Sequence, residues 1–351
     1  MASHETVGRR QKAEGREQGV ATSDLRHPTC DLRLPLVSVI MPTYNGERMI
    51  GEAIESVLAQ DFRDLELIVV DDSSTDGTAA IVHRYTADDP RVRYVLQQPR
   101  TGGPGPARNV GLRAARGRYV AFLDHDDLWL PGKLALQAAY LDAHPETALY
   151  FTQMYAEEDG RRTVWPWDGL RYSYLELFRG DVIPILTVLV RRECVEAVGG
   201  FSDDIAMSED YDLWLRLGQR YAFHFEPGPT AVWRSVGSNL SQQKVRMRQA
   251  TLKAVQRVPI NGELGVSRWL KRRRIALERY TLARVFAESA RYLEAAGELI
   301  KVAATDPGVG EDVGGQAGSA LSRRLQPYRL LGRCLVGAVT GRRAGVLSEG
   351  M

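Results

Sequence analysis

Residues 119–127, YVAFLDHDD, decide how this chain is interpreted. The run Tyr119–Leu123 is apolar throughout, without the alternation of a half-exposed strand, which predicts a strand buried on both faces. Asp124-His125-Asp126-Asp127 follows at once, and such close carboxylates repel one another unless a partner relieves the repulsion. A hard divalent cation, Mn²⁺ or Mg²⁺, would relieve it. The alternative is a solvated acidic turn before a helix that begins at Pro131, and the residues alone do not separate the two interpretations.

Similar apolar runs alternate with helical patterns before this strand. Strands are predicted at 36–41, 65–70 and 92–96, and helices near Ile50–Leu58, through Ile81 and Val82, and near Ala107–Ala115. This alternation predicts an α/β fold with a mostly parallel central sheet flanked by helices. Ligands of such sheets bind beyond the carboxyl ends of the strands, where Asp71-Asp72 and Asp124–Asp127 both fall.

The second half of the chain is less regular. Strands are predicted at 148–153 and 185–190 and a helix from Ser208, but after about Gln242 only helical patterns remain. We therefore divide the chain into three parts. They are a disordered tail at 1–34, which mixes charges with Gly, Ser and Thr, an α/β nucleotide-binding domain at 35–241, and a smaller α-helical C-terminal region at 242–351.

Composition argues against several classes of protein. The net charge of +2 over 351 residues does not indicate a nucleic-acid partner. The three cysteines form no CxxC pair, which argues against a zinc finger or a disulfide framework and favours a cytoplasmic protein. The longest apolar stretch, Val182–Val190, is too short to cross a bilayer.

Three further polar clusters could carry chemistry. Asp71-Asp72 could accept hydrogen bonds from a nucleobase or a ribose, although one of the two could instead cap the next helix. The glycine-rich segment 102–109 holds Arg108 near a predicted helix N-terminus, which favours a phosphate but is equally typical of a surface loop. Glu209 and Asp210 begin an amphipathic helix, where a carboxylate could act as a general base or merely complement the helix dipole.

Taken together, these segments resemble glycosyltransferase family 2, whose inverting enzymes have the GT-A fold. The resemblance covers about residues 35–241 and is carried by segments 37–47 (VSVIMPTYNGE), 69–78 (VVDDSSTDGT), 105–111 (GPARNVG), 122–129 (FLDHDDLW) and 208–210 (SED). It implies transfer of a sugar from a nucleotide-diphosphate sugar, a UDP-sugar above other donors. The acceptor would be a hydroxyl of a saccharide or a lipid-linked molecule, in polysaccharide or glycoconjugate synthesis.

The resemblance also implies roles for individual residues. Asp124 and Asp126 correspond to the family's DxD pair, so that Asp124 would face the ribose or the sugar and Asp126 would hold the divalent cation on the diphosphate. Asp210 would be the catalytic base, with Glu209 supporting it or touching the acceptor. The other residues implied to bind the nucleotide sugar are Pro42, Thr43, Tyr44, Glu47, Asp72 near the base, and Arg108 near the nucleotide or its diphosphate.

One position departs from the family pattern. Family members often have a histidine where this chain has Val236, so the corresponding contact would come from elsewhere, for example from Arg234. A nucleotidyltransferase is an alternative enzyme, although the segment after Met41 lacks the basic, glycine-rich signature that holds a triphosphate. A non-catalytic nucleotide-sugar-binding or scaffold protein is the alternative from a different class.

The basic segment Arg268–Arg274 allows two interpretations. With Trp269 as an anchor, it could contact the anionic inner face of a membrane, where lipid-linked acceptors lie. The interpretation that we favour is a solvated helix face whose arginines pair with glutamates such as Glu278.

Overall fold

The computed structural model describes residues 34–165, 172–235, 240–306 and 326–340. Its strands are β1 (Val37–Thr43), β2 (Leu65–Asp71), β3 (Val92–Leu96), β4 (Tyr119–Phe122), β5 (Leu128–Trp129), β6 (Thr147–Glu158), β7 (Arg161–Trp165), β8 (Leu189–Arg191) and β9 (Ala222–Arg234). Its helices are α1 (Ile50–Leu58), α2 (Thr78–Asp88), α3 (Pro104–Ala114), α4 (Lys133–Ala143), α5 (Tyr174–Arg179), α6 (Arg192–Ala197), α7 (Glu209–Gly218), α8 (Leu240–Arg257), α9 (Arg268–Glu288), α10 (Tyr292–Thr305) and α11 (Gln326–Thr340).

One nine-stranded sheet runs in the order β3-β2-β1-β4-β8-β6-β9-β5, and β7 pairs with β6. The first four strands are parallel, with Ile40 of β1 opposite Ile68 of β2 and Phe122 of β4. β8 is antiparallel to both of its neighbours, and β6 and β9 are again parallel. The predicted α/β fold is therefore confirmed, and the carboxyl ends of β1, β2, β3 and β4 meet at one edge.

The apolar character of these strands follows from burial on both faces of the sheet. Ile40 and Phe122 pack into a core with α3 and α7, which includes Ala107 and Trp214. Residues of the opposite pleat pack into a second core with α1 and α4, among them Val39, Met41, Ile54, Ala121 and Leu134. Because every side chain of β1, β2 and β4 is buried, none of these strands shows polar alternation.

Two helices begin at residues other than those predicted. α3 starts at Pro104 rather than Ala107, because a proline fits the first turn of a helix, where its missing N–H is not needed. Most of the glycine-rich segment 102–109 is therefore helical, and the helix includes Arg108. α4 starts at Lys133 rather than Pro131, since Gly132, with a φ of 84°, first turns the chain through a left-handed conformation.

The predicted strand at 185–190 is wrong in its first half. Ile185–Thr187 form a 3₁₀ turn, in which the Pro184 carbonyl accepts hydrogen bonds from both the backbone N and the Oγ1 of Thr187. The strand is limited to Leu189–Arg191.

Beyond β9 the described chain is helical, as predicted, apart from one bridge between Asn261 and Val266. Ala254 and Val255 of α8 join the core that contains α7, whereas α9, α10 and α11 share a third core. The domain boundary at residue 241 stays a prediction, and the predicted tail lies outside the described residues except for Leu34. None of the described helices is both long enough and apolar enough to cross a membrane.

Candidate active site

A cavity of about 280 Å³ opens at the carboxyl ends of the parallel strands. Each of the four strands β1 to β4 contributes the residues that follow it, because parallel strands end at the same edge of the sheet. The lining residues are Pro42, Thr43, Tyr44, Asp72, Arg100, Gly102, Gly103, Pro104, Ala107, Asp124, His125 and Asp126. Six residues predicted from the sequence thus lie together around one cavity.

Glu47 was expected to line the nucleotide pocket but is not among the cavity-lining residues. Its carboxylate accepts a hydrogen bond of 2.7 Å from the backbone N of Gly77. The Asn45 side chain, in a turn with φ of 51°, likewise accepts a hydrogen bond from the backbone N of Thr75. These contacts brace the turn after β1 against the turn after β2, which fixes Thr43 and Tyr44 relative to Asp72.

Asp72 holds the loop that follows β3. Its buried carboxylate accepts hydrogen bonds from Thr101 N at 2.7 Å, Thr101 Oγ1 at 2.9 Å and Gly102 N at 2.9 Å. Asp72 does not cap α2, because the helix N-cap is Gly77 and Asp76 accepts the hydrogen bond from Thr78 N. The carboxylate predicted to lie near the base therefore also shapes one wall of the cavity.

Sequence reasoning missed Arg100, which lies in the same loop. Its guanidinium carbon lies 3.4 Å from the centroid of the Tyr44 ring, a cation–π contact between two residues that line the cavity. Among the described residues that line the cavity, Arg100 is the one arginine or lysine. Its position beside a glycine-rich segment is the only signal in the sequence, and that signal does not predict which side chain it meets.

The acidic turn brings the carboxylates of Asp124, Asp126 and Asp127 close enough to affect one another. Burial and the charge of Asp124 raise the pKa of Asp126, and burial with the charges of Asp124 and Asp126 raises the pKa of Asp127 well above its ordinary value. Asp127 accepts a hydrogen bond of 3.0 Å from Arg234 N. Arg234 also donates from Nε to the carbonyl of Asp126 and pairs with Glu52, so it supports the turn. Val236 lies outside the described residues.

This turn fits a divalent cation in charge, but it does not complete a coordination shell. Carboxylate oxygens that resist full ionisation together are stabilised by a bound hard cation. Among the described residues, no group of three His, Cys, Asp or Glu side chains has the geometry of a metal site. A cation held by Asp126 would therefore need further ligands from a phosphate and from water, as is usual for Mg²⁺.

Arg108 connects the acidic turn to the N-terminus of α7. It is 2% exposed, and its Nη2 donates to the Asp124 carboxylate at 2.6 Å while its Nη1 donates to Glu209. Both terminal nitrogens of Arg108 are thus bound to carboxylates, and its predicted position near the nucleotide or its diphosphate stays a prediction.

Asp210 lies in the first turn of α7, next to Glu209. Burial and the charge of Glu209 raise the pKa of Asp210 to about 7, while the charge of Arg108 opposes this shift. The backbone N of Tyr211 donates to its carboxylate at 2.8 Å. A carboxylate with a pKa near neutrality can take up a proton at physiological pH, which is the property that a general base requires.

The basic segment Arg268–Arg274 forms the first two turns of α9. Arg274 pairs with Glu278, as the interpretation of a solvated helix face predicted, but both side chains are buried and not solvated. Arg274 also donates from Nε to the Phe178 carbonyl at 3.0 Å. Lys271 donates to the carbonyl of Val258. Trp269 is 65% exposed. Arg274 and Lys271 therefore bond to other parts of the chain, and membrane contact by this segment stays a prediction.

Similarity to solved glycosyltransferase structures defines the fold of this chain as GT-A. The crystal structure of S. aureus TarS 1-349 superposes with a TM-score of 0.61 at 21% identity, over 87% of this chain and 92% of that chain. The mannosyltransferase PcManGT from Pyrobaculum calidifontis, in complex with GDP-Man and Mn²⁺, gives a TM-score of 0.54 at 21% identity and covers 89% of each chain.

The chain belongs to glycosyltransferase family 2. The family described as "Glycosyl transferase family 2" matches residues 38–189, and "Glycosyl transferase family group 2" matches residues 119–287. A putative teichuronic acid biosynthesis glycosyltransferase, TuaG of Bacillus subtilis (strain 168), is 32% identical over 221 residues, which are 62% of this chain and 86% of that protein.

Other relatives are matched over a smaller share of their length. An uncharacterized glycosyltransferase of Haemophilus influenzae is 34% identical over 165 residues, which are 47% of this chain and 66% of that protein. An uncharacterized glycosyltransferase of Rickettsia felis is 32% identical over 201 residues, which are 55% of this chain and 33% of that protein. The chain thus spans between about a third and about two thirds of the length of these two curated relatives.

Proposed function

We propose that this chain is an inverting glycosyltransferase that moves a sugar from a nucleotide-diphosphate sugar to an acceptor hydroxyl. The observation that carries the proposal is the cavity at the strand ends. It brings together Tyr44 after β1, Asp72 after β2, and Asp124 and Asp126 after β4, and β2 and β4 lie on opposite sides of β1. A base and ribose beside Tyr44 and Asp72 would leave the diphosphate beside the acidic turn.

A UDP-sugar is the donor that we favour. Support comes from TarS, whose structure in complex with UDP-GlcNAc has a TM-score of 0.61 against this chain at 20% identity. The biosynthetic role that we propose is the synthesis of a polysaccharide or glycoconjugate, with a saccharide or lipid-linked acceptor. TuaG, which carries teichuronic acid biosynthesis in its name, supports that role.

The chemistry that we propose is a single displacement. Asp210 would take the proton of the acceptor hydroxyl while that oxygen bonds to the anomeric carbon of the donor. The bond from this carbon to the diphosphate oxygen breaks, and the nucleoside diphosphate leaves with the electron pair. A divalent cation held by Asp126 would supply charge neutralisation for the leaving diphosphate. One displacement inverts the anomeric centre and needs no carboxylate nucleophile.

The test uses the donor alone, because no acceptor is needed for slow hydrolysis. A panel of UDP- and GDP-sugars with Mn²⁺ is first screened by thermal shift, since a ligand that binds the folded state raises its melting temperature. Hydrolysis of the stabilising donor is then measured for the wild type and for Asp210→Asn. We expect Asp210→Asn to slow hydrolysis by about 10²- to 10⁴-fold, the usual contribution of a general base, and to keep its affinity for the nucleotide.

A matched control is Asp203→Asn, which changes an exposed aspartate in the loop before α7 and should leave hydrolysis unchanged. Hydrolysis at the wild-type rate by Asp210→Asn would exclude Asp210 as the base. Nucleotide-sugar binding without any turnover in the wild type would favour the non-catalytic binding protein instead.

A further inference from the structure

Arg108 is buried between the acidic turn that follows β4 and the N-terminus of α7. It lies on α3, and its two terminal nitrogens reach carboxylates from different parts of the chain. These are Asp124, which follows β4, and Glu209, which begins α7. Both bonds are charge-assisted, and they are shielded from water because only 2% of Arg108 is exposed.

The contacts around Arg108 fix this arrangement. One turn earlier on α3, a Cβ at Gly105 would lie 3.1 Å from Cγ of Glu209, so the absence of a side chain there makes room for Glu209. Asn109, which follows Arg108, donates from Nδ2 to the carbonyl of Phe201 at 2.8 Å. Its Oδ1 accepts a hydrogen bond from the backbone N of Phe201 at 2.9 Å. Positions 105, 108 and 109 share one face of a helix, so this face of α3 positions the segment that leads into α7.

The same contacts argue against a direct bond between Arg108 and the donor diphosphate. Arg108 is absent from the residues that line the cavity, whereas Arg100 is present among them. Arg108 is 2% exposed, so its remaining N–H groups could meet a phosphate only if the side chain left its buried position between Asp124 and Glu209, which is unfavourable.

We propose that Arg108 is a positioning residue, which links the donor-side carboxylate Asp124 to the acid pair Glu209 and Asp210 and thereby aligns the donor with the base. This inference rests on the proposed function, since it takes Asp210 as the base. It assigns to Arg108 an electrostatic effect on Asp210 and no contact with the donor diphosphate.

The charges around Asp210 predict in which direction its pKa should shift when one of them is removed. Arg108 of α3 favours the ionised form of Asp210, whereas its neighbour Glu209 on α7 and Asp124 after β4 oppose it. Asp181 after α5 interacts with the charges of Asp210 and Glu209, and Arg274 of α9 interacts with Asp181. Loss of the Arg108 charge should therefore raise the pKa of Asp210, and loss of the Glu209 charge should lower it.

The experiment compares Arg108→Gln and Glu209→Gln with the wild type in two assays. The first is the pH dependence of donor hydrolysis with Mn²⁺, and the second is the affinity for UDP with Mn²⁺ by calorimetry. In Arg108→Gln, the pH midpoint of the acid limb should rise by about one unit, and in Glu209→Gln it should fall by about as much. Because Arg108 makes no contact with the diphosphate, the affinity of Arg108→Gln for UDP should change by less than about threefold.

Arg108→Lys guards against a variant that does not fold, since lysine keeps the charge but cannot bridge both carboxylates with a planar fork. Its pH midpoint should stay near that of the wild type while kcat falls. A tenfold or larger loss of UDP affinity in Arg108→Gln, with an unmoved midpoint, would make Arg108 a diphosphate ligand and overturn the inference. Midpoint shifts of the same sign in Arg108→Gln and Glu209→Gln would also overturn it.

The proposed function fails in a different way. It fails if Asp210→Asn hydrolyses the donor at the wild-type rate, whatever the two glutamine variants do. The Arg108 inference fails when Asp210 is essential and the two midpoints do not move in opposite directions.

Discussion

Asp72→Asn tests how the cavity keeps its shape. The Asp72 carboxylate, 4% exposed, receives three hydrogen bonds, two from Thr101 and one from the backbone N of Gly102. The amide of an asparagine keeps one oxygen, which can still accept from Thr101. Its NH₂ group then faces the N–H of Gly102, so that two donors meet and one hydrogen bond is lost.

The magnitude follows from the kind of bond that is lost. A hydrogen bond to a charged group contributes about 1.5–3 kcal/mol, which corresponds to a factor of roughly 10 to 150 in an equilibrium constant. A surface loop can open without unfolding of the whole domain, so this cost should appear in local opening. We expect the amide hydrogen of Gly102 to exchange about 10 to 150 times faster in Asp72→Asn, and UDP to bind more weakly because the loop lines the cavity.

Hydrogen exchange followed by NMR or mass spectrometry measures this directly. Asp76→Asn is a matched control, because Asp76 accepts hydrogen bonds from the backbone and hydroxyl of Thr78 and from Glu47 N in the neighbouring turn. It should loosen its own turn and leave the exchange of Gly102 unchanged. Wild-type exchange at Gly102 in Asp72→Asn, together with weaker UDP binding, would refute the loop argument and leave only direct contact between Asp72 and the nucleotide.

Two further predictions concern the acidic turn and the core. Asp126→Ala should remove the gain in UDP affinity that Mn²⁺ provides, and an equal gain in variant and wild type by calorimetry would contradict the metal role. Glu66→Gln should lower the free energy of unfolding in urea by about 1.5–3 kcal/mol, because the buried Glu66 carboxylate accepts charge-assisted hydrogen bonds from Arg93 at 2.6 Å and Arg116 at 2.9 Å, while both arginines are partly exposed to water. Glu157→Gln, whose pair with Arg162 is on the surface, should cost less than about 1 kcal/mol. Burial raises the pKa of Glu66, but hydrogen bonds from Ser38, Arg93 and Arg116 lower it overall, so the difference from wild type should shrink as pH falls below the ordinary value of 4.5.

The parallel half of the fold could be predicted because every residue of β1, β2 and β4 is buried. Along β1, Val39 and Met41 enter one core and Ile40 the other, so a doubly covered strand is apolar on both faces, and the buried Ser38 hydroxyl is satisfied by Glu66. The same reasoning failed at Ile185–Thr187, which are also fully buried. An apolar run reports burial, but the two hydrogen bonds from Thr187 to the Pro184 carbonyl decide that this one curls into a turn.

The residues of the candidate site also fall into a group that the sequence predicts and a group that it does not. Residues that follow parallel strands were predictable, because topology alone brings Thr43, Asp72 and Asp124 to one edge. The stacking of Arg100 on Tyr44 was not, since it depends on the path of a loop.

Arg108 marks the boundary between these cases. An arginine beside a helix N-terminus favours a phosphate when no carboxylate is nearer. The sequence shows which charged residues are present, but it does not show how far apart they lie in the fold. The fold places Asp124 and Glu209 against its two nitrogens, so the same residue that suggested a phosphate ligand becomes a buried link between two acids. Packing decides which ion pairs are buried and desolvated. For that reason the role of Arg108 follows from the structure and not from the motif.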